Sequence, residues 1–302
     1  MTPRGLWRIL RLPLVITAVV DVLAGYLMAL LPNSFGQFDW RLAGLLAGTS
    51  AGLYLFGMVE NDLVDLDRDR HTKVPRPLVT GDVGIAGAIT LLVLTFLLTA
   101  GCASQLRGAV LMLAILTFAM INLYNLAAKS GPAYITMIVM GLCRLLNFGM
   151  GVTAFYGFPR GIHDSLALLL PSGPLWAHQA VALFCVTAMV SGYSIAARRG
   201  VVMTTRVWQG AFIVTAVAGF GLIAMTTMGP TRDYVQGWIT PVARVFAALL
   251  LANLWPGGLW SAAGLERKPA EYSRFIERTL YWFIIMDVAF LLDGMLRAMV
   301  KP

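Results

Sequence analysis

Three oxygen-bearing side chains recur at four-residue intervals in the segment Glu60-Asn61-Asp62-Leu63-Val64-Asp65-Leu66-Asp67-Arg68-Asp69-Arg70. At 100° per residue, Asn61, Asp65 and Asp69 fall within about 80° of one another on a helix, so an amide and two carboxylates converge on one point. Hard oxygen donors of this kind suit Mg²⁺, which binds through one or two carboxylates and completes its octahedron with water and phosphate oxygens. The plain alternative is a solvated acidic cap neutralised by Arg68, Arg70, Lys73 and Arg76. The regular spacing at the end of an apolar stretch favours the metal.

The elements that must position these residues are membrane helices. Of the 302 residues, 58% are hydrophobic and only 13% charged, against roughly 25% charged in a soluble domain. The net charge of +8 comes from basic residues set singly or in small groups between apolar runs. That pattern fits lipid headgroups and argues against nucleic acid as a partner. Since about 20 apolar residues cross a hydrocarbon core, the uncharged runs predict nine spans, near 12–31, 40–59, 84–102, 108–127, 133–157, 176–197, 207–228, 236–255 and 279–299. Counted over alternate connections, Lys and Arg divide fifteen to six. By the positive-inside rule this puts the N-terminus in the cytoplasm and the C-terminus on the opposite side, in a cell (inner) membrane. The first span carries Asp21 and no small-residue cleavage site, so it reads as a retained helix and not a cleaved signal peptide. With no repeat, low-complexity tract or appended soluble region, residues 1–302 read as a single polytopic membrane domain. Its longest polar connections, 60–82, 196–206 and 256–278, all fall on the cytoplasmic side, and the first holds six of the fifteen carboxylates.

N-x-x-x-D-x-x-x-D, followed by Arg76-Pro77-Leu78-Val79-Thr80-Gly81, resembles the first aspartate-rich motif and trailing R-P-x-x-S/T-G of the UbiA superfamily of intramembrane prenyltransferases. The resemblance extends to the nine-span count, to the segment from Tyr124 to Lys129, and to Arg144-Leu-Leu-Asn147-Phe-Gly-Met-Gly151. It implies an all-α bundle of nine transmembrane helices around a central cavity open to the cytoplasmic side. It further implies Mg²⁺ held by Asn61, Asp65 and Asp69, with Asp62 and Asp67 as helpers. Asp65, Asp69, Arg144 and Asn147 would be catalytic, and Arg76, Tyr124, Lys129, Tyr193, Arg198 and Arg199 would contact substrate. The implied donor is a prenyl diphosphate, whose ionisation leaves an allylic cation for a small acceptor to capture.

One departure stands out. Family members carry a second aspartate cluster, of D-x-x-x-D type, after the sixth span; here the corresponding segment is Ser191-Gly192-Tyr193-Ser194-Ile195-Ala196-Ala197-Arg198-Arg199-Gly200, and no Asp or Glu occurs between Asp164 and Asp233. Either Arg198 and Arg199 replace a metal by gripping diphosphate through bidentate guanidinium contacts, or the donor is not an ordinary prenyl diphosphate. As positive-inside anchors the two arginines read equally well. The pattern resembles the divergent EboC-like branch. The same gap supports an alternative, a transporter or non-catalytic UbiA-fold protein that binds a phosphorylated or polyol ligand.

Charges inside spans are costly and face a cavity or a partner. Asp21, Arg144, Arg244, Asp287 and Asp293 are of this kind. Arg144 and Asn147, one turn apart, either line the cavity or serve packing, with Arg144 or Arg244 paired to Asp21 or Asp287. Trp7, Trp40 and most other tryptophans flank spans as interfacial anchors, and Cys102, Cys143 and Cys185 lack metal or disulfide spacing. Glycine pairs such as Gly44 with Gly48 and Gly84 with Gly87 predict close helix packing.

Overall fold

The computed structural model describes residues 2–30, 38–72 and 75–156, and a discontinuous set of helical residues between 180 and 192. Every element in these residues is helical: α1 Pro3–Leu10, α2 Leu12–Leu30, α3 Trp40–Val64, α4 Leu66–His71, α5 Pro77–Thr80, α6 Ile85–Ala103, α7 Gly108–Leu126 and α8 Ala133–Tyr156, with a 3₁₀ turn at Ala128–Ser130. Five segments are long and apolar enough to cross a membrane: Pro3–Leu30, Trp40–Val64, Ile85–Ala103, Gly108–Ser130 and Ala133–Phe155. These are the first five expected spans, displaced by a residue or two at most ends. The sixth, 176–197, is described only in part, and the spans at 207–228, 236–255 and 279–299 lie outside the described residues.

Two local features depart from the expected spans. At Arg11 the backbone turns left-handed (φ 48°, ψ 45°) and divides a short helix, α1, from α2. α3 continues five residues past the expected end at 59 and stops at Val64. Its 25 residues at 1.5 Å each exceed the roughly 30 Å of a hydrocarbon core. The last turn, with Asn61, is thereby kept as ordered helix.

α2 packs on α8 and α3, α3 on α6 and α7, and α7 on α8. Val22, Tyr26, Leu46, Leu53, Leu113 and Met150 fill the centre. Close approach is set by glycine: a Cβ on Gly25 would collide with the Phe148 carbonyl, and one on Gly151 with that of Val22, so α2 and α8 touch backbone to backbone. α3 meets α6 at Gly48 and Gly52, against Cys102 and Thr99. Gly44 and Gly84, expected at such contacts, face no neighbour among the described residues. On the outside of α6, Ile89, Val93 and Leu97 repeat every four residues as an exposed apolar stripe, and Met112 and Ile115 are likewise exposed on α7. Bilayer lipid would cover that face.

A second apolar cluster closes one end of the bundle. Ile9 and Leu10 of α1, Val59 of α3, Leu66 of α4, Leu78 of α5, and Val83 and Ala88 pack together, anchoring the polar segment 60–84 over a hydrophobic floor. The described basic residues Arg8, Arg11, Arg68, Arg76 and Lys129 all find their partners at this end, whereas Arg41 bonds Gln105 at the other end of α3 and α6.

Candidate functional site

The acidic segment is not one uninterrupted helix. Asp65 (φ −85°, ψ −1°) closes α3, and α4 begins at Leu66. Yet the helical bonds continue across the junction, Asp65 N donating to Asn61 O at 3.0 Å and Asp69 N to Asp65 O at 2.8 Å. Asn61, Asp65 and Asp69 therefore keep a common side, and all three are buried. Asp67 points away, exposed, and pairs with Arg70 at 3.5 Å.

Three short elements bring cations onto this face. Lys129, carried by the 3₁₀ turn after α7, places Nζ 2.6 Å from Asp65 Oδ1 and 3.4 Å from Asn61 Oδ1. Arg68 of α4 places Nη2 2.6 Å from Asp65 Oδ2 and 3.7 Å from Asp69 Oδ1. Arg76 precedes Pro77, which holds it extended (φ −82°, ψ 154°). From there its guanidinium reaches Asp69 Oδ2 at 3.6 Å and Asp62 Oδ1 at 3.7 Å. Thr80 Oγ1 donates to Asp82 Oδ2 at 2.9 Å, and Gly81 ends α5 at φ 79°, a conformation glycine adopts without a side-chain clash. The Arg-Pro-x-x-Thr-Gly segment is thus a device for aiming one arginine.

Asp62, expected only as a helper, is nearly inaccessible and receives Arg11 Nη2 at 3.1 Å as well as Arg76. In sequence Arg11 contributes only to the orientation count. Its left-handed backbone turns it back toward α3, where Nη1 also meets Met58 Sδ at 3.2 Å. Outside this set, α1 is latched to the loop by Arg8 with Asp82 at 3.6 Å and by Thr2 N donating to Asp82 O at 3.0 Å.

Among the described residues no three His, Cys, Asp or Glu side chains form a ready-made metal cage. The donors nevertheless fit a hard divalent cation. Two carboxylates and an amide suffice for Mg²⁺ when phosphate and water complete the shell, and single cationic nitrogens already bridge Asn61 with Asp65 and Asp65 with Asp69. The buried Asp62 Oδ2 has no hydrogen-bond partner among the described residues, which leaves a lone pair for a bound cation or its water.

Arg144 and Asn147 stand elsewhere, against α2. The Arg144 guanidinium clasps Asp21, with Nη2 3.0 Å from Oδ1 and a second ion-pair contact through Nε, and Nη1 donates to Thr17 Oγ1 at 3.1 Å. Asn147 Nδ2 donates to Ala18 O at 2.8 Å, and Ser50 Oγ donates to Asn147 Oδ1 at 2.7 Å. Of the pairings open from sequence, Arg144 with Asp21 is the one present among the described residues. Tyr124 is half-buried near the end of α7. Tyr193, Arg198, Arg199, Arg244, Asp287 and Asp293 lie outside the described residues.

A model of the UbiA prenyltransferase family matches residues 22–265. The fold is similar to solved structures over nearly their whole length. One is the apo structure of a UbiA homolog from Aeropyrum pernix K1 (TM-score 0.62, 19% identity, 94% of this chain and 98% of that chain). Another is a UbiA homolog from Archaeoglobus fulgidus bound to DMAPP and Mg²⁺ (TM-score 0.64, 17% identity, 98% and 99%). A third is described as digeranylgeranylglyceryl phosphate synthase (TM-score 0.59, 16% identity, 96% and 98%). No curated protein sequence matches the chain.

Proposed function

The chain belongs to the UbiA prenyltransferase family, and from that premise we propose that it is an Mg²⁺-dependent transferase that moves an isoprenoid chain from a prenyl diphosphate to a small acceptor. The observation that carries this reading is the buried set Asn61, Asp65 and Asp69 at the end of a membrane-crossing helix, already sharing cations. The A. fulgidus homologue's binding of DMAPP or GPP together with Mg²⁺ supports the donor and the metal.

On this reading Asn61, Asp65 and Asp69 are the metal ligands. When bound there, Mg²⁺ neutralises charge developing on the departing diphosphate. The chain's own residues do the rest. Lys129, Arg68 and Arg76, which now neutralise carboxylates, would turn their donors toward diphosphate oxygens. Charge-assisted contacts of this kind are strong where little water enters. Tyr124 flanks the donor near the end of α7. Tyr193, Arg198 and Arg199 complete the substrate contacts and, having no acidic neighbours in sequence, grip the diphosphate without a second metal. Arg144 and Asn147 complete the catalytic set with Asp65 and Asp69 and act from the α2–α8 crossing, where both bond α2.

The same proposal includes one domain of nine spans around a cavity open to the cytoplasm, in the cell (inner) membrane, with the N-terminus inside and the C-terminus outside. The competing reading, a transporter or non-catalytic protein binding a phosphorylated or polyol ligand, draws on the missing second carboxylate cluster. Purified membranes given geranylgeranyl diphosphate separate the two. Mg²⁺-dependent diphosphate release is expected from the wild type, with Asp65→Asn and Asp69→Asn each lowering it on the order of a hundredfold or more. Unchanged release in both variants would sink the transferase reading.

A further inference from the structure

Glu60 is the one buried carboxylate of the acidic segment without an ion-pair partner among the described residues. It lies on α3 beside Asn61 and is 8% exposed. Its Oε2 accepts from Asn125 Nδ2 at 2.7 Å, and the same nitrogen donates to Gly57 O at 3.1 Å. Asn125, near the end of α7, is itself buried. A buried carboxyl group is costly to desolvate unless it is hydrogen-bonded, and removing one partner of a buried pair leaves the other unsatisfied. The two helices are tight here, since a Cβ on Gly57 would lie 2.9 Å from Ile121 Cγ2.

The course of the chain beyond Asn125 gives the tie its meaning. α7 ends at Leu126, Ala127 leaves helical geometry (φ −130°, ψ −56°), and the 3₁₀ turn swings Lys129 back onto α3. Thr136 Oγ1, in the first turn of α8, donates to Ala128 O at 2.6 Å and pins the turn from its far side. Lys129 is thus bracketed, and α3 grips the end of α7 at Glu60 while receiving the ammonium at Asn61 and Asp65. Functional groups need placement to about 0.5 Å, whereas a one-residue slip of a helix moves its end by about 1.5 Å.

We propose that Glu60 and Asn125 are positioning residues that set the register of α7 on α3 and so aim Lys129 at the face shared by Asn61 and Asp65. The proposal rests on the reading of Lys129 as a diphosphate contact. Like outer-shell groups elsewhere, the tie works through the residue it holds.

The test is a double-mutant cycle on the full-length protein in detergent, with Mg²⁺ and inorganic pyrophosphate as probe. Asn125→Ala and Glu60→Ala should each weaken pyrophosphate binding about tenfold, and Glu60→Gln, which keeps an acceptor oxygen, should recover most of the loss. In a Lys129→Met background Asn125→Ala should weaken binding no further. A full additional loss in that background, or no effect of either alanine in the wild type, overturns the proposal. If the wild type binds no pyrophosphate, the functional reading falls separately, and the same cycle in ligand-free thermal unfolding decides the inference. Sub-additive Tm losses for Asn125→Ala and Lys129→Met support it, and additive losses overturn it.

Discussion

Two groups of buried charge lie along the described helices, and they differ in what carries their cations. At the crossing of α2 and α8, Asp21 is fully buried and its arginine, Arg144, projects from the middle of a 24-residue helix. At Gly25 and Gly151 the two helices meet backbone to backbone. At the end of α3 the acids are equally buried, but their partners come from α4, the turn before α5 and the 3₁₀ turn after α7. The Arg68 side chain is 48% exposed and that of Arg76 33%. The first group is a fixed pair that neutralises itself. The second is a buried acidic cluster whose counter-ions hang on short segments, two of them partly solvated and Lys129 buried, an arrangement in which a metal and a phosphate can displace them.

The contrast can be broken most severely at the fixed pair. Arg144→Met strands Asp21 without its cation and should destabilise the protein by about 3–5 kcal/mol, as for other broken buried pairs. Asp21→Leu combined with Arg144→Met should regain most of that loss, read by unfolding in detergent. Next in size, Asp69→Asn should lower Mg²⁺-dependent diphosphate release on the order of a hundredfold with a much smaller change in Tm. Lys129→Met sharpens the distinction further: with the ammonium gone from Asn61 and Asp65, Mg²⁺ alone should bind on the order of tenfold tighter, about 1.4 kcal/mol, while pyrophosphate binds more weakly. No such gain is expected at Asp21. Gly5→Ala would set a Cβ 2.8 Å from Asp82 O, loosening the latch on the loop that carries Arg76, for a loss of about 1 kcal/mol by thermal unfolding. Asp67→Asn, exposed and paired only with Arg70, should change stability by less than about 0.5 kcal/mol and leave release intact.

The five described spans were legible because the bilayer demands about 20 apolar residues and charge marks their ends. The spacing of Asn61, Asp65 and Asp69 was legible because helical periodicity needs no tertiary information. Hydropathy carries no sign of the turn at Arg11 or the break at Asp65, both decided by what those residues touch. Asp62 looks peripheral in sequence because its burial depends on Arg11 and Arg76, both distant along the chain. Glu60 reads as one more acid in a charged run, although its place beside Asn61 on an apolar helix is a usable signal. Arg144 and Asn147 show the converse: one turn apart, they fit a cavity or a packing seam equally, and sequence alone offers no means of choosing α2 as their partner.

The exchangeable character of the α3 site is tested most directly by thermal shift in detergent with Mg²⁺, geranylgeranyl diphosphate, or both. Stabilisation by the diphosphate should require Mg²⁺ and should disappear in Asp65→Asn. An equal shift from the diphosphate without Mg²⁺, or one retained in Asp65→Asn, would contradict the assignment of Asn61, Asp65 and Asp69 as the centre of the site.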